Sequence, residues 1–363
     1  MAAALQQRLV RRTVELCRIA SVTGDEGAIA ERVEAMLRDT PLQVQRVGLS
    51  VLARTASRPG RPLVLLVGHT DTVPAKAADR GVRVEGDRVY GLGASDMKGG
   101  LAVMLELAAA VGDGAALGVD LGLVFYDKEE GPWADSGLGP VLDEVAWLRR
   151  AALAFCLEPS DNVVQVGCLG TLHAKVTFVG RAAHSARPWQ GDNAIHRAAP
   201  LLAALAARAP VEVDCDGHPF REVLSATLAS GGSTRNVVPD RFTLNLNFRF
   251  APGRSDESAV AEVRRFCAEA CPASPPEVEL VEVAPSGRVV TDNPQLRHFL
   301  QLNGNAVAAK QAWTDVARLS RAGIDAVNLG PGLAAQAHQA DEYASAALLS
   351  ESYTQFARFL GVR

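Results

Sequence analysis

The sequence contains no apolar run long enough to cross a membrane. Its apolar stretches, such as LLAALAA at 201–207, are far shorter than the roughly 20 residues that a membrane-spanning helix needs. The first residues, MAAALQQRLVRR, lack the apolar core of a secretory signal and lead directly into a helical pattern. These absences make the cytoplasm the expected location and argue against a membrane partner.

Excess positive charge and paired cysteines are also missing. A net charge of -4 over 363 residues disfavours nucleic acid as a main partner. The six cysteines form no Cys-x-x-Cys pair, so we expect reduced thiols rather than disulfides or thiolate metal sites. With 48% apolar and 21% charged residues the composition is that of a globular protein, and its length favours two domains.

The first half of the chain alternates between helical and strand-like patterns. A helical pattern at 5–20 is followed by Thr23 and Glu26, which have the spacing of a capping box opening a second helix. The strand-like runs are VQRVGLSVLAR, PLVLLVG, LGLVFYD and AALAFCLE, with the helical run MKGGLAVMLELAAAV between the second and third. This alternation predicts an α/β fold with a mixed, mainly parallel sheet, helices on both faces, and sites beyond the carboxyl ends of strands.

The pattern changes near residue 171. Strand, helix, strand, strand, helix and strand follow, which is the β-α-β-β-α-β order of a ferredoxin-like unit. After Pro285 the chain returns to helix, strand and helix. We therefore predict a discontinuous catalytic domain at 1–170 and 285–363, interrupted by a smaller domain at 171–284.

Five short segments place acids and histidines where the core should be ending, and we expect four of them at strand ends of one sheet. Each segment alone has an ordinary explanation as a solvated loop, but their coincidence indicates a site. The segments are HTD at 69–71, SDMK at 95–98, KEEG at 128–131, LEP at 157–159 and AHQ at 337–339.

A pair of divalent metals fits these side chains. His69 and His338 each offer an imidazole nitrogen, and Asp96, at a strand-to-helix turn, is suited to bridge two ions. Glu130 and Glu158 complete the set with one carboxylate for each metal. We expect two zinc ions, although oxygen and nitrogen ligands also accept cobalt or manganese.

Two further acids have a predicted role beside the metals. Asp71 lies two residues after His69, on the same side of a strand, so its carboxylate can accept the second ring N–H and fix the imidazole. Glu129 precedes the predicted ligand Glu130 and can move a proton from water to a leaving amine. The predicted reaction is amide hydrolysis.

The ordered motifs resemble those of the co-catalytic zinc amidohydrolases, a family that includes aminoacylase, acetylornithine deacetylase, glutamate carboxypeptidase and succinyl-diaminopimelate desuccinylase. The resemblance covers nearly the whole chain. The motifs are GHTDTVP, GASDMKGG, DKEEG, LEPS, AHSARP, GGSTRNVVP and AHQADEY.

This resemblance implies a zinc-binding domain interrupted by a lid that also forms a homodimer. It implies the same five zinc ligands, with Glu129 as general acid and base, and a cis peptide bond between Asp96 and Met97. His184 in AHSARP matches the histidine that reaches across the dimer to polarise the scissile carbonyl.

Within the family, the resemblance is strongest to the desuccinylases. Glu158 is usual in the deacylases, whereas aminopeptidases and glutamate carboxypeptidases often have Asp there. The implied substrate is N-succinyl-L,L-diaminopimelate, in lysine and cell-wall precursor synthesis. The segment GCLGT at 167–171 lacks an arginine found in some desuccinylases, and GASD replaces the commoner GAAD or GTSD.

Four residues are candidates for binding a substrate that carries several carboxylates. Arg249 lies on the polar face of an alternating strand and can bind a carboxylate bidentately, and Arg187 is a second candidate. Asn236 follows a Gly-Gly turn, and Gly330 opens a tight loop before His338.

Two alternative functions remain. Within the enzyme class, the protein would deacetylate acetylornithine or acetylcitrulline, or remove the acyl group of another N-acyl amino acid. In a different class, it would be a non-catalytic, metal-binding relative. The presence of Glu129 argues against the second alternative, because a scaffold does not need a proton carrier.

Overall fold

The structure is a computed structural model that describes residues 2–112, 114 and 116–362. Its helices are α1 Ala2–Cys17, α2 Gly27–Arg38, α3 Gly99–Ala110, α4 Leu138–Glu144, α5 Ala194–Arg197, α6 Ala199–Ala207, α7 Asp256–Ala270, α8 Pro294–Asn303, α9 Val316–Arg321 and α10 Ala346–Leu360. Its strands are β1 Gln43–Val47, β2 Ser50–Arg54, β3 Leu63–His69, β4 Arg83–Glu85, β5 Arg88–Tyr90, β6 Asp120–Tyr126, β7 Ala151–Cys156, β8 Val164–Val166, β9 Gly170–Val179, β10 Ala183–His184, β11 Val211–Cys215, β12 His218–Gly231, β13 Val237–Val238, β14 Arg241–Phe250, β15 Glu277–Ala284, β16 Val307–Ala309, β17 Ala326–Asn328 and β18 Tyr343–Ser345.

The chain divides into two compact units. The first comprises the chain up to Gly167, Arg288–Lys310 and the chain from Thr314, and the second comprises Cys168–Gly287 and Gln311–Trp313. The second unit encloses the insert expected at 171–284, and it also takes up three residues from later in the chain. The assignment of the two units as catalytic and lid domains stays a prediction.

The first unit is built on a mixed, mainly parallel sheet, as the sequence predicts. Its strand order is β1-β2-β6-β3-β7-β17-β8-β16. The pairs β6–β3, β3–β7, β7–β17 and β8–β16 are parallel, and the other three pairs are antiparallel. The central strands β6, β3 and β7 therefore run in the same direction, and their carboxyl ends lie at one edge.

The central strands are buried on both faces. In β3, Val64 and Leu66 pack in the main core with Leu101 of α3, while the alternating Leu65 and Val67 are equally buried on the opposite face. A sheet covered on both sides needs such continuous apolar strands.

Two local predictions in this unit need correction. The capping box at the start of α2 is wrong: Glu26 occupies the cap position without a side-chain capping bond, and its carboxylate accepts the N–H of Gly24 instead. The run VQRVGLSVLAR forms a hairpin of β1 and β2 rather than one strand, because the chain turns at Gly48, which has a φ of 58°.

The second unit contains an antiparallel sheet in the order β11-β12-β14-β9-β15. Without β11 this is the predicted β-α-β-β-α-β unit. The edge strand β11 was not predicted, and the first of the two helices expected in this unit is divided into α5 and α6. Along β14, Leu244, Leu246 and Phe248 are buried beneath the helices, while the alternating polar residues lie on the other face.

All six cysteines are free thiols, as predicted. Among the described residues, none of the helices combines the length and the apolar character that crossing a bilayer requires.

Candidate metal centre

Three neighbouring parallel strands carry predicted site residues at their carboxyl ends. His69 is the last residue of β3, Glu129 and Glu130 follow β6, and Glu158 follows β7. Because β3 lies between β6 and β7, these side chains meet at one edge of the sheet, as in other open α/β sheets. Three of the five sequence segments, rather than four, lie at strand ends of this sheet.

Asp96 and His338 lie in segments next to strands of a separate three-stranded sheet, which has the order β18-β5-β4. Asp96 lies in the turn that leads from β5 into α3, and its peptide bond to Met97 is cis, as the resemblance implies. His338 lies in the loop before β18. Antiparallel pairing of β18 with β5, with Tyr343 opposite Tyr90, brings these distant segments together.

The five predicted ligands form two groups that share Asp96. His69 Nε2 lies 3.2 Å from Asp96 Oδ1 and 4.0 Å from Glu158 Oε1. His338 Nε2 lies 2.9 Å from Glu130 Oε1 and 3.6 Å from Asp96 Oδ2. In each group the ligand atoms lie within 4.8 Å of one another. Asp96 thus directs one carboxylate oxygen towards each group.

The donor set fits a pair of divalent cations. Each group offers one imidazole and two carboxylates, and three protein ligands leave room for water or substrate. Burial, and after it the charge of Asp96, raises the pKa of Glu158 to about 7. Buried carboxylates at such density are costly unless cations compensate their charge.

The imidazole of His69 is fixed from its other side by Asp71. His69 Nδ1 lies 3.1 Å from the backbone oxygen of Asp71 and 3.4 Å from its carboxylate Oδ1. The closer partner is the carbonyl oxygen rather than the predicted carboxylate. Burial alone would lower the pKa of His69, but hydrogen bonds to Asp71 and Asp96, together with the charges of Glu129 and Glu158, hold it well above its ordinary value.

The Asp71 carboxylate has a further set of partners that the sequence did not reveal. Its Oδ1 accepts the backbone N–H of Glu129 at 2.9 Å, and its Oδ2 accepts that of Glu130 at 3.0 Å. The hydroxyl of Thr23 donates to Oδ2 at 2.9 Å, so the residue expected in a capping box supports the site instead. Burial opposes the charge of Asp71, but His69 and the backbone N–H groups of Glu129 and Glu130 lower its pKa.

Glu129 lies beside the two groups of ligands. One of its carboxylate oxygens lies within 4.8 Å of ligand atoms of both His69 and Glu130. Burial raises the pKa of Glu129 well above its ordinary value; His69 opposes this shift, while Glu158 and Glu130 add to it. A buried carboxyl group whose pKa is raised is suited to accept and return a proton.

Two buried residues near the ligands have no role predicted from the sequence. Glu342 accepts hydrogen bonds from three backbone N–H groups around Asp96. Lys310 is buried, with its Nζ 3.3 Å from the backbone oxygen of Pro159, and its charge acts on Asp96 and Glu158. The motif AHQADEY contains Glu342, but nothing in its pattern separates this acid from the adjacent Asp341.

The second unit brings together three of the predicted residues. His184 pairs with Val237 between β10 and β13, and the N–H of Ser185 donates to the backbone oxygen of Asn236 at 2.9 Å. The N–H of Arg187 donates to the backbone oxygen of His184. His184 is exposed, and its Nδ1 accepts the N–H of Ala186 at 3.0 Å, so Nε2 remains free to act as a donor.

Arg249 lies on the polar face of the second unit's sheet, as predicted. Its Nε donates to Asn247 Oδ1 at 3.1 Å, and no carboxylate partner for it is found among the described residues. Burial lowers the pKa of Arg249. A partly buried guanidinium with a neutral neighbour is well suited to receive an anion.

Gly330 is packed behind Glu158. It is buried, its N–H bonds Ser160 Oγ, and a Cβ at this position would lie 2.5 Å from the backbone oxygen of Glu158. Only glycine allows this close approach, so the position supports the end of β7. The predicted contact of Gly330 with substrate stays a prediction.

The fold and this site define a class of protein: a two-unit α/β protein with a paired carboxylate–imidazole centre. Residues 65–361 match the peptidase family M20/M25/M40, and the chain belongs to that family. The family is metal-dependent, and this chain is a metal-dependent hydrolase of amide bonds.

Two relatives match almost end to end. A putative succinyl-diaminopimelate desuccinylase DapE from Mycobacterium tuberculosis is 39% identical over 355 residues, covering 97% of this chain and 98% of the relative. A succinyl-diaminopimelate desuccinylase from Corynebacterium glutamicum is 39% identical over 344 residues, covering 91% and 90%.

Solved structures share the fold at lower identity. A tripeptidase from Staphylococcus aureus has a TM-score of 0.80 at 21% identity, covering 98% of this chain and 97% of that structure. A dinuclear metal binding peptidase of the M20 family from Bacillus subtilis has a TM-score of 0.72 at 15% identity, covering 99% and 100%.

Proposed function

We propose that this protein hydrolyses N-succinyl-L,L-diaminopimelate to succinate and L,L-diaminopimelate, a step of lysine biosynthesis. The observation that carries the proposal is the 39% identity to the mycobacterial desuccinylase over 97% of this chain. The presence of Glu158, which is usual in the deacylases of this family, also supports it. Arg249 adds support because it has no carboxylate partner among the described residues and is available for one of the substrate's several carboxylates.

The metal centre is proposed to hold two zinc ions, with cobalt or manganese as substitutes. His69, Asp96 and Glu158 would hold one ion, and Asp96, Glu130 and His338 the other. When bound, the ions would supply Lewis acidity towards the amide carbonyl and make water more acidic.

The chain's own side chains would then move one proton. Glu129 accepts a proton as water attacks the amide carbonyl carbon, and it returns that proton to the nitrogen as the carbon–nitrogen bond breaks. The carboxylate of Asp71 holds Glu129 in place by accepting the backbone N–H of Glu129. His184 would donate to the carbonyl oxygen from a second copy of the chain, and Arg249, Arg187 and Asn236 would bind the substrate's polar groups.

A homodimer through the second unit would supply that second copy. Strand β11 pairs only with His218–Glu222 of β12. Among the described residues, the outer edge of β12 from residue 223 onwards therefore has no partner strand. Leu228 on this stretch is 71% exposed, and α6, which contacts β12, exposes Leu202. A second copy of β12 would form backbone hydrogen bonds with this open edge.

The proposal is tested by a substrate panel on the zinc-loaded protein. We expect kcat/KM for N-succinyl-L,L-diaminopimelate to exceed that for N-acetylornithine and N-acetylcitrulline by at least about a hundredfold, or roughly 3 kcal/mol of transition-state binding. A preference for an acetyl substrate would favour the deacetylase alternative. Absence of turnover on every acyl amino acid would favour the non-catalytic alternative.

The cytoplasm remains the predicted location, and a biosynthetic role on a small amino acid derivative is consistent with it.

A further inference from the structure

A single buried carboxylate organises the segment that carries Asp96. Glu342 Oε1 accepts the N–H groups of Ser95 at 2.7 Å and Asp96 at 2.8 Å, and its Oε2 accepts that of Gly93 at 2.9 Å. Glu342 is only 3% exposed. Three N–H donors converge on this one buried carboxylate, so the backbone of this turn is held closely.

The same residue connects the turn to the loop that carries His338. Glu342 follows His338 by four residues and directly precedes β18. Its backbone oxygen accepts the N–H of Gly91 at 3.0 Å, which continues the pairing of β18 with β5. One residue therefore connects the backbone around Asp96 with the segment that carries His338, which lies far later in the sequence.

We propose that Glu342 is a positioning residue of the metal centre: its carboxylate orients Asp96 so that one Asp96 oxygen faces each metal position. Glu342 lies in neither group of ligands and acts only through the backbone of Asp96 and its neighbours. The inference rests on the proposed metal centre, but it does not depend on the identity of the substrate.

The proposal requires a carboxylate rather than an amide. Three N–H donors converge on two oxygens, so both oxygens must accept. Glutamine has one acceptor oxygen, and its NH2 group would face at least one N–H donor without a bond. Aspartate keeps both oxygens but is shorter by one methylene.

The test compares Glu342→Gln, Glu342→Asp and a matched control, Glu106→Gln. Glu106 is also buried in the first unit, but its carboxylate binds Arg8 and Arg12. Metal-free protein is titrated with Co2+ while the visible absorption and the bound stoichiometry are recorded, and thermal unfolding is measured in parallel.

We expect Glu342→Gln to weaken Co2+ binding by at least about tenfold and to alter the cobalt spectrum, because supporting residues of metal ligands have effects of this size. Glu342→Asp should fall between Glu342→Gln and wild type. Glu106→Gln should lower the unfolding temperature without changing Co2+ affinity or spectrum.

Two results would overturn the inference in different ways. Wild-type affinity and spectrum in Glu342→Gln would show that Glu342 does not position Asp96, and the proposed centre would stand. Fewer than two Co2+ per chain in the wild type would remove the centre itself and the inference with it. If Glu342→Gln does not fold, unchanged Co2+ binding in Glu342→Asp would count against the proposal.

Discussion

The carboxylate of Asp71 accepts the backbone N–H of Glu129 at 2.9 Å. The same carboxylate accepts the N–H of Glu130, and the adjacent backbone oxygen of Asp71 lies 3.1 Å from His69 Nδ1. Asp71 therefore positions a proposed proton carrier and two proposed ligands at once, from the loop that follows β3.

Replacing Asp71 by Asn should reduce kcat/KM by about 10- to 100-fold, because an amide can accept at only one of its two terminal atoms. Thr23→Val should give a smaller loss, since it removes one donor to Asp71 Oδ2. Thr23→Ser, which retains the hydroxyl, and Asp143→Asn at an exposed position are the controls. Steady-state kinetics of Thr23→Val equal to those of wild type would show that the hydroxyl is dispensable.

Glu129→Gln should lower kcat by about 10²- to 10⁴-fold while the metal content stays near that of wild type. The amide keeps the size of the side chain but cannot accept the proton from water. Metal content is measured by elemental analysis, and Glu144→Gln, which changes an exposed glutamate of α4, is the control. Parallel loss of metal and activity would instead indicate that Glu129 is a ligand.

The metal-free protein should become less stable as the pH rises from about 5 to 8. In the folded chain, burial raises the pKa of Glu158 from an ordinary 4.5 to about 7. The stability that Glu158 contributes to the folded state is therefore fully present below pH 4.5 and is lost as the pH rises through 7. The raised pKa of His69 likewise makes the folded state less stable as the pH rises. The lowered pKa values of Asp71 and Asp96 affect stability only at acid pH, below the range tested.

Adding Zn2+ should reverse this trend, because metals bind the deprotonated ligands. The difference in unfolding temperature between metal-loaded and metal-free protein should therefore widen by roughly several degrees as the pH rises across this range. A gap that narrows with rising pH would contradict the proposed ligands. Glu158→Gln should make the unfolding temperature of the metal-free protein depend less on pH.

Mixed dimers should reveal whether His184 acts across the subunit interface. Glu129→Ala and His184→Ala are each expected to be almost inactive. If His184 serves the partner's site, a one-to-one mixture with random reassociation should regain about one quarter of wild-type activity, because half of the dimers are hybrids with one intact site each. Activity no higher than that of the parents would place His184 in its own chain's site.

The sheet and the five ligand candidates could be predicted because their signals are local. The buried strand β3 is an uninterrupted apolar run that ends in His69, and each further ligand lies in a short motif of its own. The alternation along β14 likewise identified its polar face before any contact was known.

The supporting roles of Thr23 and Glu342 could not be predicted, because their partners are distant in sequence. Thr23 and Asp71 are separated by 48 positions and Glu342 and Asp96 by 246. Glu342 also bonds backbone N–H groups, which almost any residue could supply. The same reason explains why Thr23 was assigned to a helix cap: its spacing to Glu26 fits that motif, but its hydroxyl has a charged acceptor elsewhere.

The most direct test of the proposed centre is a crystal structure of the zinc-loaded protein with anomalous diffraction at the zinc edge. We expect two zinc peaks per chain, one bonded to His69 and Glu158, the other to Glu130 and His338, and both bonded to Asp96. A single peak, or two peaks that do not share Asp96, would contradict it.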